Sequence, residues 1–262
     1  MMFRVDRVRT PPSVSLVLDG TRSQRPARLA SIVLEELAHQ IIGGTLPQGS
    51  VLPTEPTLGE QFGFSRTVIR EGLKQLEERG LVRVEQGRGT TVQQRDSWNL
   101  LDPAVIRIAL EYDQYDREMS LLDDLITVRR VLEVEMARVA ATRLTEDELA
   151  ALAENIERMA ATYDDYDRFR ALDNAFHAIV MKASGNQVGL TIVRTIHTHG
   201  GVRPPLASGA SRAALRRTVV AHRAIYDALA ARDGEAAGEL ISKHINSAWA
   251  ERRKKKRSLD NS

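Results

Sequence analysis

Apolar positions along the chain change their period at about residue 80 and again at about residue 93. From Pro26 onward Leu29, Val33, Leu37 and Ile41 recur every four residues, the spacing of one helical face. Gly43-Gly44 stops that run, and Leu46-Pro47-Gln48-Gly49 reads as a turn. Thr54 is placed to N-cap a short helix to about residue 62, with Pro56 tolerated in its first turn. Gly63-Phe64 breaks it. Ser65 then opens a helix to about residue 79, which Gly80 ends as a C′ residue. Residues 81–85 alternate apolar and polar, 86–89 form a turn, and 90–92 favour a strand: a short hairpin.

After Trp98 the period is helical throughout. Asp102-Pro103 starts a helix to about residue 112, and a second spans 121–142. Thr145 and Glu148 have capping-box spacing ahead of an apolar stripe of Leu149, Leu152, Ile156 and Met159. A further helix over 168–183 is stopped by Ser184-Gly185-Asn186, and another runs from 188 to about Gly200. Residues 202–210 read as a loop, and the last two helices cover 211–231 and 234–252. The order of elements predicts a mainly α fold. A winged helix-turn-helix over 26–95 precedes an all-α helical bundle over 96–250. A flexible arm, 1–25, and a basic tail, 251–262, flank them.

Composition narrows the function classes. The chain of 262 residues is 27% charged and has no apolar run near the ~18 residues that a membrane span needs. Val14–Leu18 is too short for a signal-peptide core. No cysteine is present, which removes disulfide frameworks, thiolate metal sites and cysteine nucleophiles, and fits a reducing cytosol. The formal net charge of +2 hides its distribution. The arm carries five Arg against two Asp, residues 26–95 eight basic against eight acidic, the bundle 18 against 23, and the tail six against two. Any DNA reading must therefore rest on placed residues rather than on a basic coat.

The second helix of the head supplies such residues. At 100° per residue Ser65, Val68, Ile69, Gly72 and Leu76 share one side, and Arg66, Thr67, Arg70 and Lys74 fall on another. An Arg/Thr-lined helix start suits a major groove, where Arg reads guanine edges or clamps phosphates and Thr meets phosphate or a thymine methyl. The hairpin tip, Gln86-Gly87-Arg88-Gly89-Thr90, offers flexible backbone and one Arg to a neighbouring groove. On these residues alone a solvated helix face and a tight turn weigh equally. Gly44, Pro47, Gly49, Leu52-Pro53-Thr54-Glu55, Leu58, Phe64-Ser65-Arg66, Val68, Arg70-Glu71, Leu76, Gly80-Leu81 and Gly87-Arg88-Gly89-Thr90 together resemble the GntR family of bacterial transcription regulators. The resemblance implies double-stranded operator DNA as partner, contacted by Arg66, Thr67, Arg70, Gly87 and Arg88. It departs at Pro56, where the family usually has a DNA-contacting Arg, so operator sequence or affinity is expected to differ.

In the bundle, Asp173 and His177 are i and i+4 on one helix face. His222 and His244 lie either side of the turn at 231–234, at distances that bring them opposite each other in an antiparallel helix pair. One Asp and three His could thus converge on a divalent cation, with Zn²⁺, Ni²⁺ or Mn²⁺ suited to such donors and positions left open for water or a ligand carboxylate. The linker Trp98-Asn99-Leu100-Leu101-Asp102-Pro103 is similar to that of the FadR-type GntR subfamily with its FCD effector domain. So are Arg129 with Leu132-Glu133, Asp173-x3-His177, Ser184-Gly185-Asn186 and the residues around His222. That resemblance implies Asp173, His177, His222 and His244 as metal ligands. It also implies homodimers, and a small carboxylate effector, often a sugar acid, paired with Arg129. The alternative for Arg129 is a helix-surface ion pair, and Thr127 stands where many members have Glu. His197 and His199 read as caps of a helix end rather than pocket residues. Arg252 to Arg257 read as a solvated helix end favoured by the helix dipole, with contact to DNA or RNA as the other reading.

The expectation is a DNA-binding regulator, a repressor, without enzymatic activity and without a membrane partner. The rival is a metal-dependent hydrolase with an appended head, since three His and an Asp can activate water. It lacks a His-Glu-x-x-His pair or a nucleophile elbow. A metal-stabilised interaction domain without effector sensing is the third reading.

Overall fold

A computed structural model describes residues 24–112, 121–199 and 211–260, with backbone alone at 24–25, 199 and 251–260. The expected arm, up to residue 23, and the loop at 202–210 lie outside the described residues. Helix α1 (Gln24–Ile42) starts two residues before the expected Pro26. Helices α2 (Glu55–Phe62) and α3 (Arg66–Glu78) and strands β1 (Val82–Glu85) and β2 (Gly89–Val92) complete the head. Thr54 caps α2 through its side chain, whereas Ser65 occupies the cap position of α3 without a side-chain bond. Gly80 has φ +71°, and a β-carbon there would meet the Ser97 carbonyl oxygen at 2.0 Å, so only glycine fits the close of α3. The hairpin is antiparallel, with Val82 opposite Val92 and Glu85 opposite Gly89. Residues 50–52 lie along β2 as a third short edge, bonded from Leu52 N to Thr90 O and from Val92 N to Ser50 O. The sequence did not announce this edge, because Ser50-Val51-Leu52 is too short to alternate before Pro53.

The head buries Val33, Leu37 and Ile41 of α1 against Val68, Ile69, Leu73 and Leu76 of α3. Helix α4 (Pro103–Tyr112) packs in two directions. Val105 and Ile108 join the head core with Trp98. Ile106 and Ala109, one position on, meet Leu121, Leu125 and Ile196 of the bundle. Arg107 also pairs with Glu35 of α1. The helix thus ties head to bundle through neighbouring parts of one broad apolar arc.

The bundle comprises α5 (Leu121–Arg143), α6 (Glu146–Ala160), α7 (Tyr166–Ala183), α8 (Gln187–His199), α9 (Arg212–Ala230) and α10 (Gly234–Asp260). Its core gathers Met136, Ala137, Ala140 and Ala141 of α5, Leu152, Ile156 and Met159 of α6, Phe176, Val180 and Met181 of α7, and Ile225, Leu229, Ala237 and Ile241 of the last pair. The capping box before α6 is present, with Glu148 N donating to Thr145 Oγ1 at 3.2 Å and Thr145 N to Glu148 Oε2 at 3.0 Å. At the α9–α10 turn Arg232 adopts φ 61°, a left-handed conformation unfavourable for a side-chain-bearing residue. Its guanidinium donates to the Ala141 carbonyl in the last turn of α5 and to the Leu144 carbonyl just past it, and pairs with Glu146, which offsets that strain and fixes the register of the two helices. Among the described residues no helix is long and apolar enough to cross a membrane.

Candidate metal centre and DNA-reading face

Three helices meet at a buried polar centre. Helix α7 supplies Asp173 and His177, α9 supplies His222 and α10 supplies His244, one donor atom from each lying within 4.8 Å of the others. The three imidazoles are buried and Asp173 is half-buried. The Nε2 atoms of His222 and His244 are 3.3 Å apart, and His222 Nε2 is 3.3 Å from Asp173 Oδ1. Two donors held by one ion at tetrahedral angles and bond lengths of about 2.0–2.1 Å stand about 3.3–3.4 Å apart. Phe176 stacks on His222 at 4.1 Å and 10°, which fixes the ring plane. The residues present therefore fit a divalent cation, and the fit rests on donor spacing and ring orientation.

Around the donors lies a second layer that sequence reasoning missed as a unit. Glu133 of α5 is fully buried. Its Oε2 sits 2.6 Å from His177 Nδ1, and its Oε1 2.9 Å from His197 Nε2 and 2.5 Å from Arg129 Nε. With His177 Nδ1 facing the carboxylate, Nε2 is the nitrogen left to meet a cation, the usual arrangement for a metal-bound imidazole. Arg129 is 17% exposed, and its Nη2 lies 3.4 Å from His177 Nε2. The expected alternative of a surface ion pair is thus replaced by a largely buried pair at the edge of the centre. His197 turns inward to Glu133 rather than capping α8, which corrects the sequence reading; the side chain of His199 lies outside the described residues. The signal for Glu133 was present. It sits four residues after Arg129 and four before Ala137, on the face of α5 that otherwise buries Met136, Ala137 and Ala140.

Burial pushes the imidazoles of His222 and His244 well below their ordinary pKa, and lowers that of His197. Burial alone would raise the Glu133 carboxyl. The Arg129 guanidinium and the imidazoles of His177 and His197 outweigh it and hold Glu133 well below the usual carboxylate range. His222 and His244 are thus held in the neutral form that a metal requires. One consequence is a pH dependence with a definite sign. Without metal, the unfolded imidazoles bind protons below about pH 6.5 that the folded ones resist, so stability falls with pH there. Glu133 contributes stability above its unfolded value and loses it as pH falls through its lower folded value. The metal-stripped protein is expected to melt several degrees lower at pH 5.5 than at pH 7.5 in a thermal-denaturation series; a flat profile would contradict a neutral buried pair.

In the head, Arg66, Thr67 and Arg70 are all exposed on α3, while Val68, Ile69, Gly72, Leu73 and Leu76 are buried beneath them. Arg70 is held by Glu55 at the start of α2, through Nε to Oε1 at 3.2 Å and Nη2 to Oε2 at 3.0 Å. The hairpin tip is exposed, with Gly87 at φ 79° and Gly89 at φ 88° allowing its tight reversal, and Arg88 lies 3.9 Å from Glu85. Pro56, where the family usually has Arg, sits in the first turn of α2 one residue after the Glu55 that clasps Arg70.

Two family models match the chain. Bacterial regulatory proteins of the gntR family match residues 29–92, and the FCD domain matches residues 124–247. The galactonate operon transcriptional repressor of Escherichia coli K12 is 32% identical over 212 residues, 81% of this chain and 91% of that one. The Glc operon transcriptional activator of the same organism is 33% identical over 165 residues, 61% of this chain and 62% of that one. Among solved structures, the Lar protein that controls the agr system of Listeria monocytogenes aligns at 20% identity with a TM-score of 0.54, over 88% of this chain and 97% of that one, which shows the shared fold. The regulator relatives displace the hydrolase reading. With its head, its helical bundle and these relatives, the chain belongs to the GntR family of bacterial regulators with an FCD domain: it is a DNA-binding transcriptional regulator and not an enzyme.

Proposed function

We propose that this regulator is a cytoplasmic repressor, acting as a homodimer, whose operator affinity is set by a small carboxylate, a sugar acid, bound at the buried centre of the bundle. The observation that carries this reading is the convergence of Asp173, His177, His222 and His244 from three helices, with the Arg129 guanidinium 3.4 Å from His177. A divalent ion, Zn²⁺, Ni²⁺ or Mn²⁺, would be held by those four residues and would supply a Lewis acid for a carboxylate. Arg129 would pair with that carboxylate by its fork of donors. Similarity to regulators of a galactonate operon and a Glc operon supports a small organic acid as the effector, and the longer match, over 81% of this chain, is to a repressor.

The route to the head runs through packed side chains. Arg129 and Glu133 lie on α5, whose first turns bury Leu121 and Leu125 against Ile106 and Ala109 of α4. The neighbouring part of the apolar arc of α4 packs into the head. A ligand that shifts α5 shifts α4 with it, and effector and DNA affinities must then be linked reciprocally. At the operator Arg66, Thr67 and Arg70 would read the major groove, with Gly87 and Arg88 in the neighbouring groove.

The test couples metal content to effector response. His222→Ala should lose the bound divalent metal by elemental analysis and abolish the thermal shift given by galactonate or gluconate in the wild-type chain. Operator binding without effector should persist. Unchanged metal content would overturn the ligand set. Intact metal with no response to any sugar acid would leave a metal-stabilised interaction domain in place of an effector sensor.

A further inference from the structure

We propose that the C-terminal extension of α10 is a second DNA-contacting element, which binds the phosphate backbone flanking the operator. It rests on DNA binding by the head and not on the metal or the effector. The FCD match ends at residue 247, yet α10 continues as one helix to Asp260. Within that extension Arg252, Arg253, Lys254, Lys255, Lys256 and Arg257 follow one another without interruption.

Two features set this segment apart from an ordinary solvated helix end. First, residues 252–257 are all cations, so the sequence there offers no apolar stripe at helical spacing with which to fold back on the bundle or lie in a membrane surface. The pairs 252/256 and 253/257 place like charges at i and i+4, which destabilises an isolated helix and is relieved by a polyanion. Favouring a helix C-terminus needs only a charge or two in the last turn. Second, the extension leaves the bundle at the end that carries the head. Trp249 Nε1 donates to Asp123 Oδ1 at 2.7 Å, in the first turn of α5. Leu121 and Leu125 of those same turns pack on α4, and α4 packs on α1. Eleven helical residues after Trp249 reach about 16 Å further.

The charge distribution supplies the need. Residues 26–95 hold eight basic and eight acidic residues, and residues 96–250 hold 18 against 23. The DNA-reading head is therefore neutral overall, and the cations at 252–257 add to the attraction that its few placed Arg residues exert on a duplex.

The experiment compares the wild-type chain with a variant carrying Gln at all six positions (R252Q, R253Q, K254Q, K255Q, K256Q and R257Q) and with a chain ended at Glu251. The probe is a duplex selected by the wild-type protein from a random-sequence pool, used both trimmed to its protected core and extended by a helical turn on each side. Affinities are measured from 50 to 200 mM salt. If the extension engages about three phosphates, the log–log salt slope of the wild type is steeper by about 2.7 on the extended duplex. That is a relative loss of roughly 40-fold across the range. On the trimmed duplex the slopes should converge. Parallel lines on the extended duplex overturn the proposal. So does a difference that persists on the trimmed duplex, or one seen with single-stranded RNA instead. Equal melting temperatures show that the variants are folded, and if the Gln variant melts low, the shortened chain carries the comparison.

Discussion

Glu133→Ala is expected to destabilise the metal-stripped protein by about 3–5 kcal/mol, because it leaves the Arg129 guanidinium largely buried and unpaired. Three groups lose their partner at once, Arg129, His177 and His197, so few substitutions in the bundle should cost more. The same change removes the carboxylate that faces His177 Nδ1, and removing an outer-layer partner of this kind lowers metal affinity by about 10- to 100-fold. Urea unfolding of the stripped chain reads the first effect and competitive Zn²⁺ titration reads the second. Glu133→Gln separates them. It keeps the volume and an acceptor but removes the charge that pairs with Arg129. The double variant Glu133→Ala with Arg129→Met should recover part of the stability without recovering metal affinity, since it removes the stranded charge but does not restore the orientation of His177. A single variant as stable as the wild type would mean that Glu133 is not the hub that the geometry makes it.

Much of this arrangement was legible in the sequence, and particular residues show why. The cluster of candidate ligands could be found because two local rules suffice. Residues i and i+4 share a helix face, which joins Asp173 to His177. A short turn at 231–233 places residues about equally far on either side opposite each other, which joins His222 to His244. The turn holds that register because Arg232 reaches carbonyls near the end of α5, a long-range bond that no local pattern announces. Glu133 was passed over for the opposite reason. A charged residue is ordinarily solvent-facing, and only its position on the buried stripe of α5 says otherwise. His197 points inward because α8 crosses α5 at Glu133, a tertiary fact absent from its own neighbours along the chain. The two contacts of α4 escaped for a similar reason. Val105, Ile106, Ile108 and Ala109 give one broad apolar arc opposite Arg107 and Glu111, and nothing within that arc says which part meets the head and which the bundle.

Arg66→Ala and Arg70→Ala are each expected to weaken operator binding by roughly 5- to 150-fold in fluorescence anisotropy, with metal content unchanged. Both side chains are exposed at the start of α3 while the residues beneath them are buried, so neither change should disturb the head core. The two positions differ in preparation. Arg70 is already held by both carboxylate oxygens of Glu55, so its fork is oriented before DNA arrives; Arg66 has no such clasp among the described residues. Glu55→Gln should therefore lower affinity through Arg70, and it should have no further effect once Arg70 is Ala. The pattern across duplexes separates the roles. If Arg70 reads a base edge, Arg70→Ala relaxes discrimination at one position of the operator and spares non-specific DNA. If Arg70 clamps a phosphate, the same change weakens all duplexes alike and flattens the salt slope by about one unit. If both alanine variants bind the operator as tightly as the wild type, α3 does not read DNA, and the exposed Arg/Thr face of the head is only a solvated surface.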